Sequence, residues 1–344
     1  MMIAYACAVL LWLSLISYAV FGGADFGGGI WDLFLWGHEK DERHQLIEQA
    51  VGPVWEANNV WLIYLVVGLY TAFPIVAAML ATTLFLPLTL ALLGIVMRGA
   101  AFAFRSHFTK SVTVKTFWGR IFGVVSVLTP FLLGTCAAAV ASGKIRVQQS
   151  NTQVALVGIW LTPFAVTVGL MGLALCATIA PIYLTVEARK EKNEHLATIF
   201  RQRAFIGGGV LAILGIAGIL QMPVAAPLLW RGILDHAIWA VIVTVLLGVA
   251  TAIALFWRRY RLARALIVME AAALLGSWGL GQFPYIVPPD LTIPAAASPE
   301  GTLWAFFVSA LIGMLVLIPS LWFLFYIFKV EEKVPVVHEK EIES

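Results

Sequence analysis

The chain has 344 residues, of which 61% are hydrophobic and only 12% charged, with a net charge of +3 and a mean hydropathy of +0.92. Soluble domains carry about a quarter charged residues, so this composition excludes an ordinary soluble enzyme and leaves no case for a nucleic-acid partner. Repeated apolar runs of roughly 20 residues, enough to cross about 30 Å of hydrocarbon as a helix, predict an all-α polytopic membrane protein with no sizeable soluble domain.

Nine apolar runs follow in order: residues 3–35, 53–72, 76–97, 117–141, 154–184, 205–222, 237–257, 263–283 and 303–328. The first lacks the basic flank of a cleaved signal peptide and is expected to stay as a membrane helix. The first and fifth exceed a minimal span, which predicts tilt, extension beyond the bilayer or a glycine-loosened end. Little more than Thr71 to Pro74 separates the second and third, so a tight antiparallel hairpin is expected there. The connection 284–301 is proline-dense and almost uncharged, an ordered extended cap or a mobile loop. Residues 331–344 read as a polar tail.

With the N-terminus outside, all of the 22 lysines and arginines except Lys144, Arg146 and Arg231 fall on inner connections or the tail. That skew predicts nine spans, N-terminus out and C-terminus in. It also places the charged turn 37–49 in the cytoplasm, with Asp25 and Glu56 toward the cytoplasmic half of the membrane.

Cys7, Cys136 and Cys176 lie in apolar runs without CxxC spacing and read as small core residues, with no metal site and no disulfide framework indicated. His38, His44, His107, His195, His236 and His338 fall in loops, the tail or at a helix end. A helical bundle that holds haem needs axial ligands within it, so no haem is expected on this chain alone. Met97 and Met171 read as apolar filler.

Asp25 lies in GGADFGGG, where Gly23 and Gly27 have the GxxxG spacing that lets a neighbouring helix approach, with Gly28 beside them. Glu56 follows Trp55 in GPVWEANNVWLI, which also holds Asn58 and Trp61. Carboxylates at such depth are costly unless paired, hydrated or protonated, which makes both acids candidates for proton uptake. Each also has a plainer reading: Asp25 pairs with a base or caps a broken helix, and Glu56 sits at a helix N-terminus favoured by the dipole. Arg98 and Arg105, seven residues apart, share a helix face; each is either a charge partner for an acid or a snorkelling inner anchor. Glu270 lies about 10 Å along its helix from the basic stretch 258–264 and needs a partner that the sequence does not name. Trp55, Trp61 and Trp118 fit interfacial belts. Buried acids and glycine-broken helices also occur in proton-coupled secondary transporters, a second reading of the same residues.

GGADFGGG, GPVWEANNVWLI, MRGAAFAFR ending the third run, TPF at Thr162 to Phe164, and FPYIVPP after the eighth together resemble subunit II of cytochrome bd-type quinol oxidases. The likeness covers nearly the whole chain, and the WEANNVWL block is its most specific part. It implies two four-helix bundles, residues 1–142 and 153–284, plus a ninth helix at 302–330, in one integral membrane domain spanning 1–330. It implies a heterodimeric terminal oxidase of the bacterial inner membrane that oxidises quinol and reduces dioxygen to water. No catalytic residue is then expected in this chain. The haems belong to subunit I, and subunit II stabilises that partner and contributes a proton path from the cytoplasm. Partners implied are haem-bearing subunit I, membrane lipid, the quinol pool and, in some members, a small single-helix subunit.

Residue by residue, Asp25 matches the acid of the glycine-rich motif and Glu56 the acid after tryptophan that the family assigns to proton uptake. This chain has Gly22 where some members carry a further acid, and Glu56 where some carry aspartate. Its outer connections are short, so the resemblance does not by itself imply the structural quinone of longer relatives.

Overall fold

Apolar segments of this length satisfy their backbone in lipid only as helices, and among the described residues all elements but one small hairpin are helical. The computed structural model describes residues 1–33, 40–107, 112–146 and 158–331. The first half holds α1 (Met2–Leu33), α2 (Lys40–Ala72), α3 (Pro74–Thr83), α4 (Phe85–His107) and α5 (Val112–Ala141). The second holds α6 (Pro163–Lys190), α7 (Glu194–Ala225), α8 (Pro227–Gly232), α9 (Ile238–Phe256) and α10 (Tyr260–Gln282). Beyond them come β1 (Tyr285–Val287), β2 (Leu291–Thr292), α11 (Ile293–Ala296) and α12 (Glu300–Glu331). Among the described residues eight helices are long and apolar enough to cross a membrane, and nine if one bent pair is a single span.

That pair corrects the expected tight hairpin. Pro74 has no N–H to continue α2, so the helix stops at Ala72 and restarts as α3, bent by 115°. The third span is therefore α4, which begins at Phe85 rather than near residue 76, with α3 lying between the two spans. The charged stretch before run two is corrected as well. Residues from Lys40 onward are already helical, and Leu46 and Ile47 are buried with Leu184, Ala188, Leu196 and Phe200. Hydropathy marks where a helix enters lipid, whereas backbone hydrogen bonding carries it further. The same reason extends α7 back to Glu194, before the expected start at 205.

The fifth run begins later than expected. Residues 158–161 form a turn, and α6 opens at Pro163 behind Thr162, whose Oγ1 accepts from the Ala165 N–H at 3.2 Å. Residues 154–157 of that run, residues 37–39 of the charged turn and residues 332–344 of the tail lie outside the described residues. Before the seventh span, α8 and a π-helical turn at Ile233–Ala237 lead directly into α9.

The proline-dense connection is an ordered cap. β1 and β2 pair antiparallel, with Tyr285 opposite Thr292 and Val287 opposite Leu291. Val287 is buried in the same core as Ile145, Phe73 and Leu303. Ser298 ties the cap to the end of α2: its N–H donates to the Ala72 carbonyl at 2.9 Å and its Oγ to the Thr71 carbonyl at 2.7 Å.

Helix α1 is the element the others pack around, touching α2, α5, α6, α10 and α12. Its stretch from Gly22 to Ile30 is buried without interruption. A Cβ on Gly27 would collide with the Cys176 carbonyl of α6, and one on Gly23 would stand 2.6 Å from Ile179 Cδ1. At Gly27 only hydrogen lets α1 and α6 come this close, whereas at Gly23 the Ile179 side chain would have to turn away. Cys7, Cys136 and Cys176 are all buried and free, the Cys7 thiol facing the Leu303 carbonyl at 3.6 Å.

Candidate functional site

Three helices bring charge together in the glycine-rich half of α1. Asp25 projects from α1 and Arg98 from α4, and the two form an ion pair in which each side chain is 1% exposed. The Asn58 side-chain amide of α2 reaches the other oxygen of Asp25, its Nδ2 donating to Oδ2 at 3.5 Å, a long and weak bond. Asn58 is itself buried, and it stands over Gly22, where a Cβ would be 3.3 Å from the amide.

Two rings enclose the guanidinium. The Arg98 Cζ lies 5.8 Å from the Phe26 ring centroid and 5.1 Å from that of Phe122 on α5. Aromatic faces attract a desolvated cation and replace part of its lost hydration. Nε and Nη1 of Arg98 have no hydrogen-bond acceptor among the described residues. The arginine is thus held by one carboxylate and two ring faces.

Burial on this scale distinguishes the pair from an interfacial ion pair. Exposed pairs contribute about 0–1 kcal/mol, whereas removing one member of a buried pair costs about 3–5 kcal/mol because the other charge is stranded. Arg98 is therefore an internal counter-charge, and the snorkelling alternative is set aside by its 1% exposure.

The remaining candidates sit as follows. Trp55 packs its ring on Phe102 of α4, centroids 5.9 Å apart, and lies against Gly99, so α2 leans on α4 one residue beyond Arg98. Trp61 is half-buried, with an indole N–H that meets no acceptor among the described residues. Gly28 is buried in α1. The backbones of Glu56 and Arg105 belong to α2 and α4, but their side chains lie outside the described residues. Helix α2 places position 56 two residues before Asn58, close along the chain to the ion pair.

Glu270 is not part of this cluster. It lies on α10 against α9, where its Oε2 accepts from Thr251 Oγ1 at 3.3 Å and its carboxylate fills the space beside Gly248.

Sequence reasoning missed Tyr18 and Phe122. Tyr18 precedes Asp25 by two helical turns on the same face of α1, is buried, and lies within electrostatic range of Arg98. That spacing was a readable signal. Phe122 gave none, because its approach to Arg98 depends on how α5 packs.

The donors for a haem are poorly placed. Among the described residues, His107 ends α4, His195 stands in the first turn of α7, and His236 directs Nε2 at the Leu280 carbonyl, 2.8 Å away. His195 and His236 are exposed, so neither fits axial haem ligation within the bundle.

Comparison with known proteins gives a consistent result. The family described as "Cytochrome bd terminal oxidase subunit II" matches residues 3–328. A protein of Bacillus subtilis (strain 168) named "Putative cytochrome bd menaquinol oxidase subunit II" is 22% identical over 330 residues, covering 93% of each chain. "Cytochrome bd ubiquinol oxidase subunit 2" of the same organism is 29% identical over 204 residues, 55% of this chain and 59% of the relative. The solved bd oxidase from Geobacillus thermodenitrificans contains a chain that superposes with a TM-score of 0.79 at 23% identity, covering 95% of this chain and 99% of that one. This last likeness establishes the all-α polytopic fold.

Proposed function

This chain belongs to the cytochrome bd terminal oxidase subunit II family, and from that premise we propose that it is the non-haem subunit of a quinol:dioxygen oxidoreductase that supplies protons for reduction of O2 to water. It is a multi-pass protein of the bacterial inner membrane and a component of an oxidoreductase complex, as its relatives are. In this reading subunit I carries the haems and oxidises quinol, and the present chain stabilises that partner. The N-terminus lies outside, so the end of the bundle that carries Asp25, Arg98 and the start of α2 faces the cytoplasm.

One observation carries the proton path: a carboxylate and a guanidinium, each 1% exposed, are held together at the end of α1 and touched by Asn58 of the helix that bears Glu56. Glu56 takes a proton from the cytoplasmic side. Asp25 is the next acid inward, and Arg98 balances its charge so that the site persists in a low-dielectric interior. Asn58 orients the Asp25 carboxylate from α2. The work of the two acids in this reading is to hold and pass protons.

The reading is tested by purifying the tagged chain from its native membrane and recording a reduced-minus-oxidised spectrum. Haem bands from a co-purifying partner are the expected result. A homogeneous, colourless preparation without a haem subunit would overturn it and favour a transporter that works alone.

A further inference from the structure

Beyond the Asp25 site, the turns joining α6 to α7 and α9 to α10 meet at a cleft of about 470 Å³ lined by Val186, Arg189, Lys190, Arg258, Arg259 and Arg261. No acid lines it. Two carboxylates of these turns are already engaged, Glu187 with Lys190 and Arg264, and Glu194 with Arg189. Arg258, Arg259 and Arg261 are left without a carboxylate within ion-pair distance among the described residues, and all three are exposed.

The backbone has been shaped to keep a cation there. Arg258 closes α9 at φ 57°, a left-handed position where glycine is the unstrained choice. Arg259 stands at the start of α10 without a side-chain cap, so the first-turn amides of that long helix open toward the same cleft. A helix N-terminus beside three unneutralised guanidiniums is suited to a phosphate oxygen, and the arginine fork matches it in geometry.

The setting decides the source of the phosphate. The cleft lies at the ends of membrane-spanning helices, and Phe256 and Trp257 beside it are 68% and 65% exposed. Most of α9 above them is apolar and exposed as well. A headgroup seated in the cleft would have its acyl chains along that face, with Trp257 at the polar boundary. We propose that this cleft binds the phosphodiester headgroup of an anionic phospholipid, with Arg258, Arg259 and Arg261 as its charge-reading residues. The inference rests on the membrane fold and does not depend on the proton path.

The test uses the complete oxidase complex, as wild type and with Arg258→Gln, Arg259→Gln and Arg261→Gln combined. Each is stripped of lipid in detergent, passed through vesicles of phosphatidylcholine with phosphatidylglycerol, and assayed by native mass spectrometry for retained lipid. Haem content serves as the check on assembly. The wild type is expected to retain phosphatidylglycerol over phosphatidylcholine, and the triple variant to lose that retention by at least about tenfold. Replacing the same three residues by lysine should preserve most of it. If the triple variant does not assemble, Arg259→Gln and Arg261→Gln are measured singly, each expected to weaken retention. Unchanged phosphatidylglycerol retention in the glutamine variants would overturn the proposal. So would inorganic phosphate that displaces the lipid at millimolar concentration, which would make the cleft a free-phosphate site.

Discussion

Asp25 of α1 and Arg98 of α4 form an ion pair inside the bundle, each side chain 1% exposed. The two residues are far apart in sequence, and their meeting depends on close packing at glycines: α1 seats its charged turn against α2 at Gly22 and against α6 at Gly23 and Gly27, where a Cβ on Gly27 would meet the Cys176 carbonyl. The pair is thus a consequence of close helix packing.

Arg98→Gln strands the Asp25 carboxylate in a buried position. The purified complex should lose about 3–5 kcal/mol of stability, seen as a fall in Tm. Adding Asp25→Asn to that variant should recover much of the loss, since no charge then remains unpaired. A double variant as unstable as the sum of the two singles would mean that the residues are not energetically coupled.

Gly27→Val drives a side chain into the Cys176 carbonyl of α6. Overpacking of this kind costs about 1–3 kcal/mol or more, and it should separate α1 from α6 enough to weaken the Asp25 site. Gly209→Ala on α7, where a Cβ meets nothing within 4 Å, is the control and should be neutral or slightly stabilising. Comparable losses of Tm in the two variants would contradict the packing account.

Glu270 has one weak hydrogen bond, from Thr251 Oγ1 at 3.3 Å, and no cation within ion-pair distance among the described residues. Glu270→Gln keeps the shape and removes a charge that is costly in lipid. Stability should be unchanged or raised, with oxygen consumption by the complex unaffected. A marked loss of turnover at full haem content would instead place Glu270 in the proton chemistry.

Ser298 donates twice to the last carbonyls of α2 and so fastens the β-hairpin cap. Ser298→Ala removes the hydroxyl bond and should cost about 0.5–1.5 kcal/mol. Arg146, 50% exposed, pairs with Asp290 at 2.9 Å on the same cap. Its replacement by Ala should change stability by no more than about 1 kcal/mol. Thermal denaturation of the two variants checks the order.

The spans were legible because lipid imposes a single rule, a long apolar run that forms a helix, and that rule holds for α1, α5, α9, α10 and α12. Sequence reading failed where something else set the boundary. Hydropathy ran residues 76–83 into the third span, whereas they belong to the separate helix α3 that Pro74 starts, and the buried Leu46 and Ile47 show a polar stretch continuing as helix because its own apolar positions find a core. The motifs pointed to Asp25, Asn58 and Arg98 one at a time. Their arrangement was not legible, because the three lie on three helices and only tertiary packing says which oxygen faces which nitrogen. Phe122 shows this most plainly, since it closes over Arg98 from a fourth helix without any motif to mark it.

The proton path is the central claim, and Glu56 is its first member. The most direct measurement is quinol-driven oxygen consumption by the purified complex with Glu56→Gln and with Glu56→Asp, at haem content equal to wild type. Gln cannot carry a proton and Asp can, so the Gln variant should be clearly slower than the Asp variant. Oxygen consumption by Glu56→Gln equal to that of the wild type would contradict the account.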